Sequence, residues 1–126
     1  MLRESPIYAY FPARDLARAR RFYEEKLGFV PKSVNEGGVT YEFGAGTAAF
    51  LYLTENAGTS KASQAFWSVE DVDGEIVELK KRGVIFERYD DLPGERSPQG
   101  AVIDGGAKAA WFKDSEDNIL AIIQML

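Results

Sequence analysis

Two stretches of this chain follow one plan, and that internal duplication limits the fold more than any other feature. Residues 14–29, RDLARARRFYEEKLGF, open on Asp15 as a candidate helix N-cap. They place Leu16, Ala19, Phe22, Tyr23 and Leu27 near one helical face and stop at Gly28. Residues 70–86, EDVDGEIVELKKRGVIF, repeat the plan with Asp71 or Asp73 as cap, Val72, Ile76 and Leu79 inward and Gly83 as stop. Gly74 would cost a helix interior about 1 kcal/mol relative to Ala, so the second helix is expected to begin near it. The candidate caps Asp15 and Asp71 lie 56 residues apart. A short aromatic-rich strand pattern precedes each helix, PIYAYFPA and SQAFWSV. Strand patterns also follow: VPKSVNE, VTYEFGA and TAAFLYLT in the first half; VIFERYDD, a segment from AVIDG to AAWFKD, and ILAIIQM in the second. Each half reads β-α-β-β-β, an α+β arrangement whose repeat is a fold-level signal. One such unit leaves a sheet face uncovered, so two are expected to join around a concave space, a natural place for a ligand.

At 126 residues the chain fits one domain. The expected layout is a single domain over 1–126, with module 1–56 and module 62–126 joined at 57–61, inside the small and polar stretch TENAGTSKAS. No apolar run approaches the ~20 residues of a membrane span, and MLRESPIYAYF lacks the apolar segment of a signal peptide. The expected address is cytoplasmic, with no membrane partner. The chain has no Cys and no His. That removes thiolate nucleophiles, zinc-thiolate sites and imidazole bases or ligands, and leaves proton transfer and metal binding to carboxylates, Tyr, Lys, Ser and Thr. A net charge of -5, with basic residues interleaved among acids in RDLARARRFYEEK, argues against nucleic acid as a partner.

One motif looks like metal chemistry. In KDSEDNILAIIQ, residues 113–124, Asp114, Glu116 and Asn118 alternate as oxygen donors do in a calcium loop. Such a loop also needs Gly at its sixth position and Glu at its twelfth, which here are Ile119 and Met125. The expectation is therefore a tight turn feeding the strand ILAIIQ.

DLARARRFYEEKLGFVP, FWSVEDVDGEIVELKKRGVIF and AAWFKDSEDNILAIIQ, taken in order, resemble the first-helix, second-helix and closing-hairpin signatures of the vicinal-oxygen-chelate superfamily. That superfamily includes glyoxalase I, extradiol dioxygenases, fosfomycin resistance enzymes and bleomycin-binding proteins. The resemblance spans nearly the whole chain. It implies two βαβββ modules forming an open, incomplete mixed β-barrel with helices on the outside, and pairing of two chains as a homodimer. In the metal-dependent members a ligand stands on the first and last strand of each module. The pattern carries those places onto Tyr8, Tyr52, Gln64 and Ala121. Ala offers no donor and neutral Tyr little, so no metal and no cofactor is expected. In the closing hairpin, Ser115 and Asp117 stand where the family usually has Pro and Gly; Asp can take the left-handed dihedral that this turn needs.

Alternation sends Tyr8, Tyr10 and Pro12 to one strand face, with Gln64, Phe66 and Ser68 their counterparts. With Phe50, Tyr52, Trp111 and Ala121 added, the expected ligand site is an aromatic-walled cleft for a small organic molecule. Phe50 and Phe66 are equally well read as core. Residues 87–108, ERYDDLPGERSPQGAVIDGGAK, read as a long connection or a lid, with Asp90, Asp91 and Glu95 able to attract a cation. The expected function is metal-free binding or sequestration of an antibiotic or metabolite. The alternative is an enzyme of lyase, isomerase or dioxygenase type acting on an α-oxo or enolisable substrate, with Glu42 or Tyr52 as base.

Overall fold

The computed structural model describes residues 1–126. Strand β1 (Ala9–Ala13) leads into helix α1 (Leu16–Arg21), and then come β2 (Pro31–Asn35), β3 (Gly38–Glu42) and β4 (Ala48–Leu53). The second half runs β5 (Ala65–Ser68), α2 (Val72–Lys81), β6 (Glu95–Arg96), β7 (Val102–Asp104), β8 (Ala107–Lys113) and β9 (Ile119–Met125). The first sheet has the order β1-β4-β3-β2 and the second β5-β9-β8-β7-β6. In each, the first and last strands of the module pair in parallel and the remaining pairs are antiparallel. The expected class is thus observed: an α+β fold of two mixed sheets that do not close into a barrel.

Both helices begin as their sequences dictate. The Asp15 carboxylate accepts from the Arg18 backbone N–H, and Asp71, not Asp73, does the same for Gly74. Each bond satisfies one of the donors that a helix start leaves unpaired. Asp71→Ala should therefore lower the unfolding free energy by about 1 kcal/mol, read as a shift in urea midpoint; an unchanged midpoint would mean that this cap contributes nothing. The first helix continues past Arg21 as one wider turn, Phe22–Lys26, in which the Leu27 N–H reaches the Phe22 carbonyl. Gly28 and Gly83 then stop the two helical segments at φ +76° and +91°.

One expected strand is missing. VIFERYDD makes only a single bridge, Phe86 to Phe112, plus a hydrogen bond from Glu87 N–H to the Trp111 carbonyl. The chain then leaves the sheet, and the edge it vacates is bordered instead by β7, from the expected strand segment AVIDG, and by the two-residue β6, from the stretch expected to be loop.

A single apolar core lies under both helices and crosses between modules. Phe11, Tyr23, Tyr41 and Leu51 of the first half join Ile76, Ala110, Phe112, Leu120 and Ile122 of the second. Trp67 bridges them, its ring 6.1 Å from Phe11 and 6.4 Å from Phe112.

The turn between β8 and β9 fastens the halves. Its oxygen-bearing residues, which resembled a metal loop, are buried and bond the other module. Glu116 accepts from the backbone N–H groups of Arg14 and Asp15 and takes a bidentate pair from the Arg18 guanidinium. Asn118 donates to the Pro12 carbonyl at 2.7 Å and accepts from Gly58 N–H at 3.1 Å. Asp114 receives the Tyr23 hydroxyl and the backbone N–H groups of Glu116 and Asn118. Asp117 takes the left-handed dihedral, φ 66°, as the turn chemistry required. Gly58 must be glycine: at φ +72° a Cβ there would lie 2.3 Å from the Glu116 carbonyl.

Candidate functional site

The two sheets meet near β1 and β5, where the Gln64 side-chain amide donates to the Tyr10 carbonyl at 3.4 Å and the Phe11 ring lies 6.1 Å from Trp67. Phe11 and Trp67 share the core beneath, so their chain neighbours Tyr10 and Phe66 both point to the opposite, open face. That face carries the residues expected there. Tyr8, Tyr10 and Phe66 are between 55% and 59% exposed, while Phe50, Tyr52 and Trp111 are half-buried. The Tyr10 ring lies tilted against Tyr52, their centroids 4.0 Å apart, and 6.1 Å from Phe50. Across the second sheet Phe66, Ala121 and Trp111 stand in register as one row. The result is a shallow bowl with an aromatic patch on each half, rather than an enclosed cleft. The tyrosines that do enter the core are Tyr23 and Tyr41, whose hydroxyls donate to Asp114 and Glu24. Phe66 is therefore not core.

The four places that would hold a metal do not fit one. Sheet register corrects one of them. Phe66 pairs with Ala121, and its counterpart Tyr10 pairs with Phe50, so Phe50 and not Tyr52 is the first-module equivalent of Ala121. The set becomes Tyr8, Gln64, Phe50 and Ala121, two of which have no donor atom at all. A divalent ion needs several anionic oxygens or imidazoles, and no three acidic side chains of the chain are arranged so that they could hold one. Glu42, the candidate base, lies 3.1 Å from Lys32 in an exposed ion pair at the end of β3.

Open pockets lie further out, at the strand edge that the missing strand leaves free. A cavity of about 410 Å³ runs past β8 between α2 and residues 86–100, and of the expected site residues only Trp111 reaches it. A second hollow of about 300 Å³ shares Tyr89 and Trp111 and lies between residues 61–63, residues 89–92 and Ile119. The Tyr89 ring meets Trp111 edge to face at 5.5 Å. Burial raises the Tyr89 hydroxyl pKa, with Glu87 adding to the effect and Lys113 opposing it. Of the acids expected to draw a cation, Asp90 is paired with Arg88 at 2.8 Å and Glu95 is exposed on β6, while Asp91 borders the smaller hollow. Phe86 and Tyr89 were not legible as site residues, because their placement depends on where the chain leaves the sheet.

The covering segment is fixed rather than loose. Arg96 donates to the carbonyls of Tyr89, Leu92, Gly94 and Glu95. Ser97 donates to Asp73 on α2 at 2.6 Å, and Lys108 pairs with the same carboxylate at 3.2 Å. Those partners hold the Asp73 carboxyl below its ordinary pKa against the opposing effect of burial.

The sequence profile of the Glyoxalase/Bleomycin resistance protein/Dioxygenase superfamily matches residues 8–121. No curated protein matches the sequence. Among solved structures, a putative glyoxalase family protein from Bacillus anthracis is similar at 17% identity and TM-score 0.73, over 98% of this chain and 96% of that one. A glyoxalase/bleomycin resistance protein/dioxygenase from Alicyclobacillus acidocaldarius matches at 20% identity and TM-score 0.71, over 98% and 92%. A glyoxalase/bleomycin resistance protein from Catenulispora acidiphila matches at 20% identity and TM-score 0.70, over 96% and 98%. At such identities the likeness is one of fold.

Proposed function

We propose that this chain, which belongs to the glyoxalase/bleomycin resistance protein/dioxygenase superfamily, binds a small organic molecule on its open aromatic face without a metal ion and sequesters it unchanged. The observation that carries this reading is the pairing of Tyr10, Phe50 and Tyr52 on one sheet with Phe66 and Trp111 on the other, around places that lack metal donors. Ring faces and tyrosine hydroxyls suit a planar or mixed-polarity molecule. A catalytic reading has less support, since Glu42 is paired with Lys32. Two copies are proposed to pair, as expected from the family. Sedimentation at micromolar concentration reads this directly, and a monomer throughout would refute it. No helix of the chain is long and apolar enough to cross a membrane.

The test is a thermal-shift screen over antibiotics, dicarbonyl adducts and aromatic acids, each with and without added divalent metal. A hit should raise the melting temperature equally in both arms, and Tyr52→Phe should weaken it by roughly fivefold, the contribution of one hydrogen bond, while melting like the parent. Elemental analysis of protein purified without chelator should find no stoichiometric divalent metal. A bound ion, or binding that requires metal, would overturn the reading.

A further inference from the structure

The geometry points to a second ligand site, sharing only Trp111 with the open bowl: the cavity between α2, β8 and residues 86–100, taking a small planar aromatic molecule with a single negative charge, such as an aromatic carboxylate. Its volume, about 410 Å³, lies inside the range of small-molecule pockets. It exists because two strands stop short. Phe86 bridges β8 at Phe112, β7 pairs no further along β8 than Ala109, and the edge between them is walled by the small side chains of Ala109 and Ala110. The cavity therefore reaches both sides of the sheet, touching Trp111 on the bowl side and Ile76 on the helix side.

The walls select chemistry. Phe86, Tyr89 and Trp111 offer three aromatic rings, enough to flank a planar body. Ile76 and Lys80 are one turn apart on α2 and so share a face; buried Ile76 meets the cavity, and Lys80 stands beside it at the mouth. Lys80 enters none of the chain's ion pairs, whereas the lining acids Glu87 and Asp90 are paired with Lys113 and Arg88. In a protein of net charge -5, this cavity presents two cations without an acidic partner, and since Arg96 spends its donors on backbone carbonyls, Lys80 is the one left to meet a ligand. Its cover is preformed by the Arg96 bonds to four carbonyls and by the tie from Ser97 to Asp73, so little ordering opposes binding.

2-Naphthoate, its neutral amide and 2-naphthylmethylamine, titrated against the full chain with tryptophan fluorescence as readout, test this. Naphthoate should bind more tightly than the amide, and the amine most weakly. Lys80→Gln, an exposed change remote from the bowl, should weaken naphthoate by about three- to fivefold, the factor of a solvent-facing ion pair, and leave the amide unchanged. Ala110→Leu, which fills the cavity, should abolish binding of both; its melting curve shows whether it folds, and Lys80→Gln decides the matter if it does not. No saturable binding, an order of affinity that ignores charge, or naphthoate binding indifferent to Lys80→Gln would each overturn the proposal. The last result would place the ligand in the bowl, leaving the reading of that face standing.

Discussion

Asn118→Ala should lower the unfolding free energy by about 3–4 kcal/mol, a large part of the roughly 5–15 kcal/mol that holds a domain of this kind folded. Asn118 is 1% exposed, and its amide makes bonds to Pro12, to Gly58 and to Asp114. Truncation leaves the buried Pro12 carbonyl and the half-buried Gly58 N–H without a protein partner, at up to about 1–3 kcal/mol for each group stranded. No apolar replacement recovers this, because the groups left behind are backbone. Asn118→Asp keeps an acceptor for Gly58 but loses the donor for Pro12 and sets a second carboxyl beside Asp114, so it should be no more stable than the alanine variant. Urea unfolding monitored by tryptophan fluorescence reads both. A loss under about 1 kcal/mol for Asn118→Ala would mean that water replaces the amide and that this turn does not fasten the modules.

Acid should loosen the same joint through Glu116. Its carboxylate is fully covered, and the Arg18 guanidinium, Ser115 and the N–H groups of Arg14 and Asp15 hold its pKa down to about 2 against the opposing effect of burial. An unfolded Glu titrates near 4.3. A carboxyl depressed on folding contributes stability that is complete above the unfolded value and fades as pH falls through the folded one. The window is therefore about pH 5 to pH 2. At about 1.4 kcal/mol per pH unit of separation, trimmed because Arg18 is half exposed, the contribution is roughly 2–3 kcal/mol. Asp114 acts in the opposite sense: burial raises its pKa, so its protonation on acidification favours the folded chain and blunts the loss. Glu116→Gln should cost about 2–3 kcal/mol at pH 7, with the gap to the parent closing as pH drops to 2. A gap that stays constant over that interval would show that charge at Glu116 is not what acid removes.

Much of the fold was legible because local chemistry dictates it. Asp15 and Asp71 announce helix starts through an atom three residues away, Gly28 and Gly83 end them, and strand alternation separates Tyr10 from Phe11 and Phe66 from Trp67. The lack of any donor atom at Ala121, and of an anionic one at Gln64, is likewise a property of residue type. VIFERYDD fails as a strand despite its β-branched and aromatic content, since it bridges β8 only at Phe86 and the chain then turns away from that edge, a path that local propensity does not set. The choice between Phe50 and Tyr52 fails in the sequence for a related reason: both lie on the same face, and only register with Tyr10 separates them.

The sequence by itself determined the duplicated modules, their capped helices, the aromatic face and the chemistry that face lacks, because each follows from residue type and from spacing over a few positions. Tertiary structure alone decided that Asp114, Glu116 and Asn118 clasp the other module. Their partners Tyr23, Arg14 and Pro12 lie 91 to 106 residues away in the chain. It also decided that the pocket of about 410 Å³ opens at a strand edge instead of beneath the aromatic bowl. A side chain's type says what it can bond; which group arrives opposite it depends on how whole sheets pack, and no local pattern carries that information.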